Sequence, residues 1–239
     1  MRLDERVAEQ FSMTRTKAKQ LILDGGIVRN GCVCDKPSTD TRDEDCIEQV
    51  KNHAFVSRGG EKLHKAFLDF CYTVAGKVCL DIGASNGGFS DCMLQDGSIR
   101  VHAVDVGECA LEPQVRTDPR VVIHDRTNAR ELTVEQLTEA CDFCCIDVSF
   151  ISLKLILPAA ARCLKPHGEI IALIKPQFEA GRKELSKKGI VTSPAARQKV
   201  TQDIAAFATE LGLEVLGLTT APIHKEKNIE FLIYLRKTY

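Results

Sequence analysis

A glycine-rich loop after an acidic residue is the feature of this chain with the clearest chemistry. Asp81 lies near the end of an apolar segment that begins at Val78, and the loop Gly83–Gly88 follows it. The loop leads into a helical pattern over Phe89–Gln95. A strand, a loop and a helix in this order present backbone N–H groups to a nucleotide-like ligand.

The type of ligand follows from the glycine spacing and from the acid. The glycines do not match the dinucleotide motif G-x-G-x-x-G. A carboxylate pointing into the pocket would repel a pyrophosphate, whereas it suits a cationic, hydroxyl-bearing ligand such as S-adenosylmethionine (SAM). A glycine-rich turn without a ligand is the structural alternative.

Polar residues follow four further apolar segments in the same way. Asp105 can accept hydrogen bonds from ribose hydroxyls, and Asp125 with Asn128 can bracket an adenine ring, although both also suit capping. Asp147 and Lys175 follow the next two segments. Because reactive groups gather at the carboxyl ends of parallel strands, the sequence predicts one site there.

Lys175 needs a partner, because a lysine after an apolar strand must reach solvent or a carboxylate. Asp147 on the neighbouring strand is the expected partner. Lys62 and Glu230 complete a possible set, although taken singly Lys62 is more typical of a surface residue and Glu230 of an ordinary strand-edge charge. A lysine here can act as a general base towards a hydroxyl group or can stabilise an alkoxide.

The first fifty residues form a separate module in the sequence. Two helical patterns precede Asn30-Gly31, a strong hairpin signal. With the pattern Arg15-x-Lys17-Ala18-x-Gln20-Leu21-Ile22, this order resembles the S4 RNA-binding domain. The resemblance implies that basic residues of this module, namely Arg2, Arg15, Lys17, Lys19 and Arg29, face RNA phosphates.

Composition limits the class of protein. The 239 residues carry a formal net charge of -1 and eleven cysteines. The charged amino terminus lacks the apolar core of a secretory signal, and no apolar run is long enough for a membrane helix, so we expect a cytoplasmic protein with reduced thiols and no membrane contact. The cysteine spacing does not predict a metal site.

Five motifs together resemble the TlyA family of S4-containing, FtsJ-like ribosomal RNA 2′-O-methyltransferases, often labelled hemolysins. They are Ser57-Arg58-Gly59-Gly60-x-Lys62-Leu63, Asp81-Ile82-Gly83-Ala84-Ser85-x-Gly87-Gly88-Phe89, Ala103-Val104-Asp105-Val106-Gly107, Asp147-Val148-Ser149-Phe150-Ile151-Ser152-Leu153 and Lys175-Pro176-Gln177-Phe178-Glu179. The resemblance implies a catalytic tetrad of Lys62, Asp147, Lys175 and Glu230, with Glu226 as the rival for the last position. It also implies a SAM site, for which we predict Asp81, Gly83, Ala84, Ser85, Asn86, Gly87, Gly88, Phe89, Asp105, Val106, Asp125, Asn128 and Asp147.

The expected organisation follows from these patterns. We predict an S4-like domain over residues 1–50, a basic connector over 51–77 and a Rossmann-like methyltransferase domain over 78–239, with a mostly parallel seven-stranded sheet and helices on both faces. Residues 175–199 hold seven cations against two carboxylates, which favours contact with RNA phosphates. Outside the first module, the residues predicted to contact RNA are Arg58, Arg182, Lys183, Lys187 and Lys188.

The predicted substrate is a ribose 2′-hydroxyl of ribosomal RNA, a cytidine in 16S or 23S rRNA, and the partners are rRNA or ribosomal subunits. Asp147-Val148-Ser149-Phe150 is not the Asp/Asn-Pro-Pro sequence expected for amino-group methylation, and no Pro-Cys or Thr-Cys supplies a nucleophile for base-carbon methylation. An RNA-binding protein with an inactive methyltransferase fold is the alternative, and a hemolysin has less support.

Overall fold

The computed structural model describes residues 1–23, 25–49, 55–222 and 228–239. It divides the chain into two compact units, Met1–Ala54 and Phe55–Tyr239. Residues 55–77, which the sequence placed in a connector, therefore belong to the second unit. Glu226, the rival of Glu230, lies outside the described residues.

The first unit packs two helices against a small antiparallel sheet. Its elements are α1 (Leu3–Gln10), α2 (Arg15–Leu23), β1 (Ile27–Arg29), β2 (Cys32–Val33) and β3 (Ile47–Gln49), with strand order β2-β1-β3. The predicted hairpin turn is present, and both of its central residues, Asn30 and Gly31, have positive φ. Leu3, Val7 and Ile22 contribute to its buried core.

The second unit is built on a seven-stranded sheet. Its strands are β4 (Val78–Ile82), β5 (Arg100–Val104), β6 (Val121–His124), β7 (Cys141–Ile146), β8 (Leu164–Ile174), β9 (Leu213–Thr220) and β10 (Phe231–Lys237). The order across the sheet is β6-β5-β4-β7-β8-β10-β9, and β10 runs antiparallel to both of its neighbours. This confirms the predicted mostly parallel seven-stranded sheet.

Helices cover both faces of this sheet, as predicted. They are α3 (Arg58–Asp69), α4 (Gly88–Gln95), α5 (Pro113–Arg116), α6 (Val134–Leu137), α7 (Leu157–Cys163), α8 (Pro176–Glu179) and α9 (Pro194–Glu210). Strand residues alternate between the faces: Leu80 packs with α7 and α9, whereas Cys79 packs with α3 and α4. No helix in the described part of the chain is long and apolar enough to cross a membrane.

The sequence also predicts a helix from about Leu63 to Phe70 and a single helix over Ser152–Leu164, and the bounds of both differ in the structure. The helix expected from Leu63 begins at Arg58, because the Ser57 hydroxyl caps it by accepting a hydrogen bond from the Gly59 N–H at 3.3 Å. The single helix expected over Ser152–Leu164 is a short 3₁₀ turn, Leu153–Leu155, followed by α7.

A buried carboxylate organises the cations of the first unit. Asp4 is fully buried, with Arg2 Nε at 3.0 Å and Arg15 Nε at 3.1 Å from its two oxygens. The hydrogen bond from Arg2, supported by Arg15, lowers the pKa of Asp4 to about 2. These arginines are therefore held by an internal acid as well as being available at the surface.

Replacing Asp4 with asparagine should loosen the first unit at neutral pH. A carboxylate with a depressed pKa stabilises the fold above its ordinary value near 4, and that contribution is lost as the pH falls through about 2. In Asp4→Asn, the amides of Leu3–Gln10 should exchange faster with solvent at pH 7 than in the wild type. The exposed Glu9 lies on the same helix, and Glu9→Gln should leave exchange unchanged. Equal exchange in Asp4→Asn and wild type would contradict this role.

Candidate active site

Strand direction brings the four predicted catalytic residues to one edge of the large sheet. Asp147 follows β7 and Lys175 follows its parallel neighbour β8. Because β10 runs antiparallel to β8 and Phe231 pairs with Ile174, Glu230 stands at the same end as Lys175. Lys62 reaches this edge from α3.

The four residues form two ion pairs. Lys62 Nζ lies 2.7 Å from Glu230 Oε2, and Lys175 Nζ lies 2.5 Å from Asp147 Oδ1. All four side chains are at least three-quarters buried, with Lys175 12% exposed. Both cations are thus held by carboxylates and shielded from bulk water, which strengthens their electrostatic interactions.

The Lys175–Asp147 contact is ionic rather than a well-directed hydrogen bond. Asp147 Oδ1 accepts no hydrogen bond from any residue that the structure describes. Lys175 Nζ instead donates to Ser149 Oγ at 2.9 Å. The sequence reasoning did not single out Ser149, although it stands two residues after Asp147 in the same motif.

The start of α3 is fitted closely to the start of α4, and this contact fixes Lys62. The Val56 N–H donates to Asp91 Oδ2 at 2.7 Å. A Cβ atom on Gly88 would lie 2.2 Å from Ser57 Oγ, and one on Gly60 would lie 2.4 Å from Phe55. The glycines of these two motifs therefore allow α3 and α4 to approach each other. Gly88 has a packing role in the structure, whereas the sequence predicts that it contacts a ligand.

Only some of the loop residues predicted to bind the cofactor, Gly83–Phe89, are accessible at the surface. Ser85 is exposed, and Gly83 and Asn86 are partly exposed. Ala84, Gly87 and Phe89 are buried and shape the loop from within. Gly83 has φ +89°, and a Cβ there would lie 2.3 Å from the Asp147 carbonyl oxygen, so only glycine fits.

Asp81 points into the protein and not into the pocket that the sequence suggested. It is fully buried, and its carboxylate accepts hydrogen bonds from Ser90 Oγ at 2.6 Å and Cys145 Sγ at 3.5 Å. Desolvation raises the pKa of Asp81 to about 6, because it outweighs the two hydrogen bonds, which lower the pKa. In this conformation Asp81 joins β4 to α4.

Asp105 organises two neighbouring loops. It accepts hydrogen bonds from the N–H groups of Ser85 and Gly107, each at 3.0 Å. The adjacent Val106 is 77% exposed and offers an apolar surface beside these polar groups. Carboxylate oxygens keep further acceptor capacity, so this arrangement suits a ribose and an adjoining flat ring.

The two residues proposed to bracket an adenine ring make local hydrogen bonds. The Cys109 N–H donates to Asp125 Oδ1 at 2.6 Å, which lowers the pKa of this exposed carboxylate. Asn128 caps a 3₁₀ turn by accepting from the Arg130 N–H at 3.2 Å. The capping alternative describes Asn128 in this structure.

The predicted RNA-facing cations fall into two groups. Arg2, Arg15, Lys19 and Arg29 contact carboxylates of their own unit, and Lys17 is exposed on α2. In the second unit Arg58 begins α3, whereas Arg182, Lys183, Lys187 and Lys188 are exposed in the segment after α8, where Arg182–Glu184 form a 3₁₀ turn.

Glu179 is a second residue that the sequence reasoning did not assign. Its carboxylate accepts hydrogen bonds from Ser152 Oγ at 2.6 Å and from the Leu153 N–H at 2.8 Å. It thereby ties the loop after Asp147 to the helix that follows Lys175. Within the described ranges, no three His, Cys, Asp or Glu side chains are grouped to hold a metal ion.

The sheet order, the glycine loop after β4 and the acid after β5 define the class of Rossmann-like methyltransferases. The family model for FtsJ-like methyltransferases matches residues 55–237. The 16S/23S rRNA (cytidine-2′-O)-methyltransferase TlyA of Mycobacterium tuberculosis is 38% identical, over 97% of this chain and 88% of that protein. The chain therefore belongs to the FtsJ-like methyltransferase family and, within it, to the TlyA proteins.

Two further similarities extend over the whole chain. Hemolysin A of Brachyspira hyodysenteriae is 40% identical, over 98% of this chain and 99% of that protein. A solved structure from Streptococcus thermophilus, which also carries a hemolysin name, is 42% identical with a TM-score of 0.79, over 100% of this chain and 88% of that chain. The resemblance to the TlyA family is thus confirmed.

Replacing Asp81 with asparagine should flatten the pH dependence of stability. An acid whose folded pKa is raised stabilises the fold fully below its ordinary value near 4, and this contribution is lost as the pH rises through about 6. From pH 4 to pH 7, the free energy of unfolding measured in urea should fall by up to about 3 kcal/mol more in the wild type than in Asp81→Asn. Parallel curves for the two proteins would contradict the assignment.

Two glycines with similar φ separate backbone strain from steric contact. Gly83→Ala brings a Cβ against the Asp147 carbonyl, whereas Gly76→Ala at φ +74° meets no atom within 4 Å. We expect Gly76→Ala to cost about 1 kcal/mol of unfolding free energy in urea and Gly83→Ala clearly more. Equal losses would show that the carbonyl contact does not constrain the loop.

Proposed function

We propose that this protein transfers a methyl group from SAM to a ribose 2′-hydroxyl of ribosomal RNA, at a cytidine of 16S or 23S rRNA. The observation that carries the proposal is the pair of buried lysine–carboxylate contacts, Lys62–Glu230 and Lys175–Asp147, at the carboxyl edge of a methyltransferase sheet. The relatives named for cytidine-2′-O methylation support the choice of acceptor.

The residues at this edge suit SAM. The sulfonium and ammonium groups of SAM are cationic, and Asp147 Oδ1, whose only polar contact among the described residues is ionic, supplies a carboxylate. Asp105, which accepts a hydrogen bond from the Ser85 N–H, has further acceptor capacity for ribose hydroxyls, and Val106 offers an apolar surface to an adenine. When bound, SAM supplies an electrophilic methyl group.

The lysines supply the acceptor chemistry. A ribose hydroxyl is a weak nucleophile until its proton is removed or its developing charge is stabilised. Lys175 Nζ assists this loss, as general base or as the cation beside the forming alkoxide. Asp147 and Glu230 orient Lys175 and Lys62, and burial of the four side chains limits competition from water.

The structure offers no comparable support for methylation of a base carbon through a cysteine. Cys144 and Cys145, the cysteines nearest to Asp147 in sequence, are fully buried in β7. Burial raises the pKa of both thiols well above the ordinary value, so neither forms a thiolate easily.

The first unit is proposed as the S4-like domain that brings the enzyme to its RNA. Arg15, Lys17 and Lys19 are each exposed on α2, and Arg29 lies on β1. The exposed loop Arg182–Lys188, after the catalytic strand β8, is proposed as a second phosphate contact.

The direct test of the proposed function is incubation of purified protein with SAM and separated ribosomal subunits. Mass spectrometry of the digested rRNA should then show 2′-O-methylcytidine in one or both subunits. Methyl groups found only on bases, or the absence of SAM binding, would overturn the proposal.

Lys175→Ala and Lys62→Ala should each lower kcat by roughly 100-fold or more, because each removes a positioned group from the reacting edge. Lys165 lies on β8, the strand that Lys175 follows, and pairs with Asp142. Lys65 lies on the same helix as Lys62 and pairs with Asp69. Lys165→Ala and Lys65→Ala are therefore matched controls, which should retain activity. Unchanged methylation by Lys175→Ala would remove the catalytic assignment.

A further inference from the structure

One short loop supplies two polar partners of Lys175, Asp147 and Ser149. Asp147 Oδ1 lies 2.5 Å from Lys175 Nζ, and Ser149 Oγ accepts a hydrogen bond from the same nitrogen at 2.9 Å. The next residue, Phe150, has φ +64°, so the loop turns sharply directly after Ser149. Asp147 and Ser149, two residues apart in sequence, therefore both contact Lys175 from the segment that precedes this turn.

Two contacts fix more of an ammonium group than one contact does. A lysine Nζ carries three N–H bonds in a tetrahedral arrangement. A single carboxylate sets the distance to Nζ but leaves the group free to rotate, and the long lysine side chain has several rotamers. Ser149 Oγ accepts one of the three N–H bonds and Asp147 holds Nζ by charge, so donor capacity remains for an acceptor hydroxyl.

We propose that Ser149 is a positioning residue for the methyl transfer, one that orients Lys175 Nζ towards the ribose 2′-oxygen. This inference rests on the proposed function. The two lysines differ in this respect, because the contact described for Lys62 Nζ is with Glu230 alone. The Asp147 carboxylate holds the ammonium group by charge, and the hydrogen bond to Ser149 sets the orientation of its N–H bonds.

If Ser149 orients Lys175, Ser149→Ala should lower kcat without changing stability or KM. The serine is exposed, so the variant should unfold at the same temperature as the wild type. Its kcat for rRNA methylation should fall roughly 10- to 100-fold, the value of a hydrogen bond from a charged donor. The KM values for SAM and for the ribosomal subunit should not change, because Ser149 acts through Lys175.

Ser149→Thr is the matched control, because it keeps a hydroxyl group at the same position. It should restore kcat to within a fewfold of the wild type. Equal activity of Ser149→Ala and wild type would overturn the inference, as would a Ser149→Ala defect confined to KM. Failure of threonine to restore what alanine lost would also overturn it.

The contact itself can be measured without activity. In ¹⁵N-lysine spectra, the Lys175 ammonium signal should be protected from solvent exchange in the wild type and Ser149→Thr, and lost in Ser149→Ala. If wild-type protein methylates neither subunit, the proposed function fails. If it methylates ribose and the Lys175 signal is the same in all three proteins, the inference about Ser149 fails alone.

Discussion

The antiparallel pairing of β10 with β8 is the constraint on which the active site depends. Phe231 lies opposite Ile174, so the chain enters β10 at the edge where β8 ends. Glu230 thereby reaches Lys62, which lies 168 positions earlier, at 2.7 Å. A parallel β10 would begin at the opposite edge of the sheet, and Lys62 would lack its carboxylate.

Much of this arrangement could be predicted from sequence, because the signals are local. Alternation of apolar segments and helices predicts the mostly parallel sheet. The apolar segments Val78–Ile82, Arg100–Val104 and Val121–His124 predict β4, β5 and β6 with the bounds that the structure shows. Polar residues directly after apolar segments marked the reactive edge. Asp147 and Lys175 were paired on the argument that a largely buried lysine needs a carboxylate, and the two do form an ion pair.

Side-chain direction and helix packing could not be predicted in the same way, because they depend on contacts distant in sequence. The sequence predicts that Asp81 contacts the ligand, but its carboxylate points towards Ser90 and Cys145. Gly88 reads as a position that lets a ligand approach, but the space is needed by Ser57 of another helix. Arg15 reads as a free cation, but a buried aspartate lies beside it.

In the proposed reaction, Lys175 Nζ faces the ribose oxygen that receives the methyl group. The most direct measurement is a structure of the protein with S-adenosylhomocysteine and an rRNA fragment that it methylates. A ribose 2′-oxygen should lie within hydrogen-bond distance of Lys175 Nζ, about 3 Å. A base nitrogen or carbon at that position, with the ribose turned away from both ion pairs, would contradict it.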